Sequence, residues 1–297
     1  MAVTLPADVL SQYCRFSLYN SPFVAHDRGC AVDLYPGDET TTATTAVSPV
    51  AGEVVDTRTV DAPPKPYAAA HDHLTLVDTG DRIARLLHVD PSVGAGDTVA
   101  VGDPLGELVR AGFFAPWVPN HIHLGFRDHG DDRYRASGSL PLELGPEVDL
   151  RPVGWDGTGT VVAAGETWAL LDSPTHPAPG EAFAGVAASD GDTLEGNALL
   201  DGGCPHYEGG GLLGTEGPAT DEQSEGSTTP VALAGTTAGA AGGRHVTWRD
   251  IEVRANGDPV TGLALFCGRD RAGVKLVGVD AELPVGQAVR VTVDPVA

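Results

Sequence analysis

Short apolar runs closed by glycine, proline or aspartate recur along this chain, and hardly any segment repeats its apolar residues with the 3.6-residue period of a helix. In the first half these runs are "CAVDLY", "GEVVDTRTV", "HLTLVD", "RIARLLHVD", "DTVAVG", "PLGELVR" and "HIHLGFR", separated by turn chemistry such as "DTGD", "GAGD" and "VGDP". The second half continues with "GTVVAAG", "TWALLD", "DIEVRA", "GLALFCG", "VKLVGVD" and "AVRVTVD". Such a pattern predicts an all-β protein: an antiparallel β domain over residues 1–150 and a second β-rich region over 151–297. Within the latter, "GTEGPATDEQSEGSTTPVALAGTTAGAAGG" is small, polar and glycine-rich. It offers little apolar surface to offset the entropy of ordering, so a disordered loop is expected at about 214–244.

Charge narrows the partners. With 41 Asp+Glu against 18 Lys+Arg, the net charge of -23 repels nucleic acid and anionic membranes. Lys65 and Lys275 are the only lysines, and a low-lysine, acid-rich surface is what keeps a protein soluble in concentrated salt. A halophilic source is expected, with loss of the folded circular dichroism signal in dilute buffer as its check. The start, "MAVTLPADVLSQYCRF", lacks the basic and apolar regions of an export signal, and no run is long enough to span a bilayer, so the expectation is a cytoplasmic protein. Cys14, Cys30, Cys204 and Cys267 lie far apart and form no CxxC pair, which points to free, mostly buried thiols.

The chemistry is in the histidines. In "PNHIHLGFRD", His121 and His123 flank one residue, and alternation along a strand presents both imidazoles on one face with Ile122 on the other. Earlier, "FVAHDRGCAVDLYPG" supplies His26 and Asp33, and "ARLLHVDPSVGAGDTVAVGDPLGELV" sets His88 at the end of a strand entering a glycine-rich turn.

In this order, over residues 20–130, these segments resemble the lysostaphin-type, or LytM-domain, zinc metallopeptidases. That family has an early His and Asp, a mid-domain His before a "V-x-x-G-D-x-V-x-x-G" run, and a late H-x-H strand; "SPVAGEVV" resembles its intervening "A-P-x-x-G-x-V" strand. The resemblance implies a barrel-sandwich hybrid fold for the first domain. It implies Zn2+ held by His26, Asp33 and His123, with His88 and His121 as catalytic histidines. The implied activity is a zinc-dependent metalloendopeptidase acting on glycine-containing or peptidoglycan-like peptides. Three nitrogen and oxygen ligands leave a fourth tetrahedral position for water, the arrangement of a catalytic zinc. Histidine titrates in the range needed for proton transfer and oxyanion stabilisation. His121 is assigned as base and His88 as oxyanion donor, the reverse assignment being equally open on sequence.

Several readings compete. Asp27 and Cys30 lie between the first two ligands and are themselves zinc-binding residue types. His71 and His73, a second H-x-H in "AAAHDHLTLVD", read as a solvated loop end, or else as a substrate or second-metal contact. His129, His176, His206 and His245 stand in Gly/Asp/Pro-rich contexts and read as surface residues, with one exception: in "CPHYEGGG" Cys204, His206 and Glu208 could gather on one face of an extended segment, though the glycine-rich flank argues for a turn. The "VGAGDTVAVGDPL" hairpin is shared with lipoyl-type carrier modules, but neither lysine sits at such a hairpin tip. The remaining alternative is a catalytically inactive metal-binding or peptide-binding module of the same fold, told from an enzyme by zinc uptake without hydrolysis.

Overall fold

Alternation of apolar and polar residues, broken by turn-forming dipeptides, becomes strand after strand. A computed structural model describes residues 1–37, 44–189, 198–214, 228–279 and 283–296, with the side chain of Asp27 also outside the described set. Among the described residues strand makes up 49% and helix 3%, and the sheets curl, one of them as far as a half-barrel. The protein is all-β. Among the described residues no helix is long and apolar enough to cross a membrane.

The chain divides into two units: Met1–Phe16 with Cys30–Gly145, and Ser17–Gly29 with Pro146–Ala297. In the first, an antiparallel sheet runs in the order Ala31–Tyr35, Ile122–Arg127, Ile83–Leu87, His71–Asp78, Gly52–Asp61, Thr98–Val99. A three-stranded antiparallel sheet joins Thr45–Val47, Pro104–Leu108 and Val89–Pro91. Two pairings among the described residues are parallel: Val3–Leu5 with Leu142–Leu144 in this unit, and Leu150–Val153 with Phe183–Val186 in the second. The Ile122–Arg127 strand is buried on both faces. Ile122 and Leu124 are almost wholly excluded from water on one of them, a burial worth about 1.5–3 kcal/mol for each side chain. A single residue, His88, separates Ile83–Leu87 in one sheet from Val89–Pro91 in the other, and it takes the left-handed φ of 70°.

The second unit carries a sheet of twelve strands whose order runs from Thr229–Leu233 at one edge to Asp258–Val260 at the other. Its core gathers Val161, Leu200, Leu212, Val246, Leu265, Leu276 and Val291 among others. The loop expected at 214–244 is in part ordered. Thr229–Leu233 and Thr236–Gly242 form an antiparallel pair, and the latter also pairs with His245–Trp248; residues 215–227 lie outside the described residues. Ladder hydrogen bonds, together with burial of Val231, Leu233, Ala238 and Ala241, supply the order that side-chain size alone does not. A small residue is needed at Gly239, where a Cβ would stand 2.6 Å from the Thr247 carbonyl oxygen of the paired strand and 3.1 Å from the Trp248 ring.

Candidate metal centre

Asp33 and His123 come from strands ninety residues apart in sequence and stand directly opposite each other in the ladder, with Ile122 paired to Leu34 and Leu124 to Val32. Directly paired residues put their side chains on the same face within reach, and here His123 Nδ1 lies 3.1 Å from Asp33 Oδ1. His121, just before the strand, turns to the same carboxylate, its Nε2 3.5 Å from Asp33 Oδ1. The H-x-H alternation read from the sequence therefore holds.

His26 sits on the short 3-10 helix Val24–Gly29, and its Nδ1–H donates to the Leu18 carbonyl at 3.0 Å. A carbonyl can only accept, so the hydrogen is on Nδ1 and Nε2 keeps its lone pair. The Leu18 turn is itself held: the buried Asp201 carboxylate accepts from Ser17 Oγ and from the Leu18 and Tyr19 amides, at 2.6 and 3.1 Å for the two amides. Burial nevertheless pushes the Asp201 carboxyl up to about 6. His26, Asp33 and His123 each offer one ligand atom, and these atoms lie within 4.8 Å of one another. The three are buried and could hold a metal ion.

Beside them are the other two expected histidines. The rings of His88 and His121 meet edge to face with centroids 5.0 Å apart, and Phe114 packs against both, stacked on His121 at 4.4 Å and edge-on to His88 at 4.6 Å. His121 Nδ1–H donates to the Pro119 carbonyl at 2.9 Å, which leaves its Nε2 as the atom nearer Asp33. His88 Nδ1 is 2.7 Å from Asp72 Oδ2, while Asp72 Oδ1 accepts the His73 amide at 2.8 Å. Asp72 is fully buried. Burial by itself would raise this carboxyl, yet the hydrogen bond and charge of His88, with the His73 amide, hold it below the ordinary carboxylate value.

Asp72 is the residue that sequence reasoning passed over. Its signal was the same alternation that drew attention to His71 and His73: those two share one face of the His71–Asp78 strand, so Asp72 must take the other. His71 and His73 approach Asp61 and Asp90 at 3.6 and 3.7 Å, away from the His26, Asp33 and His123 group. Cys30 is half-buried and does not join that group, and the side chain of Asp27 lies outside the described residues.

The four remaining histidines divide. His129 is exposed beside Asp78 at 3.0 Å, and His245 is exposed. His176, expected at the surface, is buried, because both ring nitrogens find backbone partners: Nε2–H donates to Gly268 and Nδ1 accepts from Ala178, each at 3.1 Å. His206, also expected at the surface, is half-buried in the turn between Leu199–Cys204 and Gly209–Leu213, and burial pushes it down to about 4. None of the four cysteines is in a disulfide. Burial lifts Cys204 to about 12 and Cys267 well above its ordinary value, so both stay protonated.

No curated protein and no solved structure matches the chain. The N-terminal domain model of DUF8155, a domain of unknown function, matches residues 4–144, and the C-terminal domain model of the same family matches residues 151–294. With both halves of that architecture present in order, the chain belongs to the DUF8155 family.

Proposed function

We propose that the protein is a zinc-dependent metalloendopeptidase whose ion is held by His26, Asp33 and His123. The observation that carries this reading is the convergence of those three ligand atoms, with two further imidazoles packed beside them. Two imidazoles and one carboxylate are a donor set of catalytic zinc, and two donors each about 2 Å from a tetrahedral ion stand roughly 3.3 Å apart. The 3.1 Å between Asp33 and His123 fits that spacing. The Leu18 carbonyl on His26 Nδ1 is the kind of outer partner that fixes a ligating imidazole's tautomer.

When bound, zinc supplies Lewis acidity and makes a bound water far easier to deprotonate. The rest falls to this chain. His121 Nε2, the ring nitrogen opposite the Nδ1–H bond to Pro119, accepts the proton of the attacking water. Asp72 accepts the Nδ1–H of His88 and turns the ring's Nε2 away from the carboxylate, so an Nε2–H of His88 would be the donor to the oxygen that gains charge in the transition state. Phe114 packs on both rings and limits their rotation. The substrate class implied is a peptide.

The test is zinc stoichiometry by plasma mass spectrometry, paired with a peptide-library digest in concentrated potassium chloride. One zinc per chain and cleavage that His121→Ala abolishes are expected. Zinc uptake without any cleavage would make the protein a metal-binding or peptide-binding module instead.

A further inference from the structure

Between the Pro104–Leu108 and Ile122–Arg127 strands of the first unit the chain runs through "VRAGFFAPWVPNH" without a strand of its own. Its backbone carbonyls have no ladder partner, and Pro116 and Pro119 remove amide donors from the segment itself. One side chain supplies much of what is missing. The half-buried Arg110 guanidinium donates through Nη1 to the Val118 carbonyl at 2.5 Å, and through Nη2 to those of Pro116 and Ala115 at 2.7 and 3.5 Å. Among the described residues it has no carboxylate partner, although the chain carries 41 Asp+Glu. A planar fork suits several carbonyls of one loop, and the single ammonium of a lysine does not reproduce it.

The same loop carries Phe114, the ring that stacks on His121 and meets His88 edge-on. A second loop holds its backbone: Tyr67 Oη–H donates to the Phe114 carbonyl at 3.0 Å, and the Tyr67 ring centroid lies 5.2 Å from the Arg110 guanidinium carbon. The Ala69 amide donates to the Arg110 carbonyl at 2.9 Å, and a Cβ at Gly112 would overlap the Pro63 carbonyl oxygen, so residues 63–69 and 110–118 are locked together. Val109, just before Arg110, donates its amide to the His88 carbonyl at 2.8 Å. Arg110 therefore ties the backbone of one imidazole to the loop that packs on both.

We propose that Arg110, with Tyr67, is a positioning residue for His88 and His121: by pinning loop 111–118 it seats Phe114 on both rings and fixes the angle between them. Positioning for catalysis rests on the peptidase reading, in which those two rings move protons; the seating of Phe114 is independent of it. Two imidazoles with different tasks must keep different orientations, and a displacement of about 1 Å at a reacting group costs on the order of 10²-fold in rate.

Three full-length variants test it, Arg110→Lys, Phe114→Leu and the double change, each checked for folding by its thermal midpoint. Arg110→Lys is expected to leave zinc stoichiometry intact and to lower kcat on a cleaved peptide by about 10- to 100-fold. The double variant is expected to be no slower than Phe114→Leu alone, because effects that pass through one another do not add. A second readout needs no substrate. In alkaline buffer, where imidazoles are neutral, the ring-proton resonances of His121 carry the ring-current shift of the stacked Phe114. That shift is expected to shrink in Arg110→Lys and to vanish in Phe114→Leu. Rate effects that multiply, or a His121 shift that Arg110→Lys leaves unchanged, would overturn the proposal. A shift that shrinks in a protein whose wild type cleaves nothing would sink the peptidase and keep the clamp. Cleavage with an unchanged shift would do the opposite. Should Arg110→Lys not fold, Tyr67→Phe, which removes the bond to the Phe114 carbonyl and keeps the ring, is read in its place by the same two measurements.

Discussion

Asp72 accepts the Nδ1–H of His88 at 2.7 Å from a position with no exposure to water, and the imidazole it holds belongs to a residue at a left-handed φ of 70°. A non-glycine residue in that conformation costs about 1–3 kcal/mol, so the surrounding structure must over-determine it. The His88 amide donates to the His73 carbonyl, and the His88 carbonyl accepts from the Val109 amide. These bonds fix the backbone, and Asp72 fixes the ring.

Asp72→Asn is accordingly expected to keep the metal and lose turnover, by about 10²- to 10⁴-fold in kcat, the range for a misdirected proton-transfer group. Metal content and kcat measured on one preparation check it. Zinc lost together with activity would show that Asp72 supports the fold of the site and does not act through His88.

Asp33→Ala and His123→Ala are expected to abolish stoichiometric metal binding, whereas His121→Ala is expected to retain it. Isothermal titration with zinc reads all three. If His121→Ala emptied the site and His123→Ala did not, the ligand set would be wrong.

Two buried groups in the second unit tilt stability against pH in opposite senses. Asp201 titrates at about 6 folded and at an ordinary 3.8 unfolded, so the folded chain binds more protons between those values. Its contribution falls as pH rises through that window, by roughly 3 kcal/mol in all. His206 titrates at about 4 folded against 6.5 unfolded, so there the unfolded chain binds more protons. Its contribution is complete above 6.5 and is lost as pH falls towards 4, again by roughly 3 kcal/mol. Relative to wild type, metal-free Asp201→Asn should therefore gain stability from pH 4 to 6, and His206→Gln should lose it. Urea unfolding at several pH values gives both slopes, and parallel slopes would contradict the assignment.

Two glycines of the "VGAGDTVAVGDPLGEL" segment should respond very differently to alanine. A Cβ at Gly106, φ 148°, would overlap the Asp90 carbonyl oxygen of the neighbouring strand, whereas one at Gly96, φ 94°, would meet nothing within 4 Å. Gly96→Ala is expected to cost about 1–2 kcal/mol from backbone strain alone. Gly106→Ala adds a clash with backbone that no side-chain rotation relieves, and about 3 kcal/mol or more is expected. Thermal unfolding of the two variants compares them.

The strands, and the pairing of His121 with His123, were legible because a period of two is local: it needs only neighbouring residues. His26, Asp33 and His123 were legible through the order of their motifs. Asp72 was not, since its partner His88 follows the adjoining strand Ile83–Leu87 and only the register brings them together. The left-handed turn at His88 also leaves no mark where no glycine occupies it. Residues 229–242 misled for the opposite reason: their composition is poor in large side chains, but the groups that require a small residue at Gly239, on Thr247 and Trp248, stand outside the segment. His176 and His206 were misjudged because a glycine- and proline-rich neighbourhood says little about what packs over it.

The cross-strand pairing of Asp33 with His123 makes the ion a clasp as well as a reagent. A slip of one residue between Ala31–Tyr35 and Ile122–Arg127 would send one partner to the opposite face while leaving the strand content unchanged. Such an error would be invisible to far-ultraviolet spectroscopy and would register as a failure to bind metal. Because binding to the native pairing stabilises it by mass action, metal present during refolding should favour the correct alignment of two segments that meet late in the chain's synthesis.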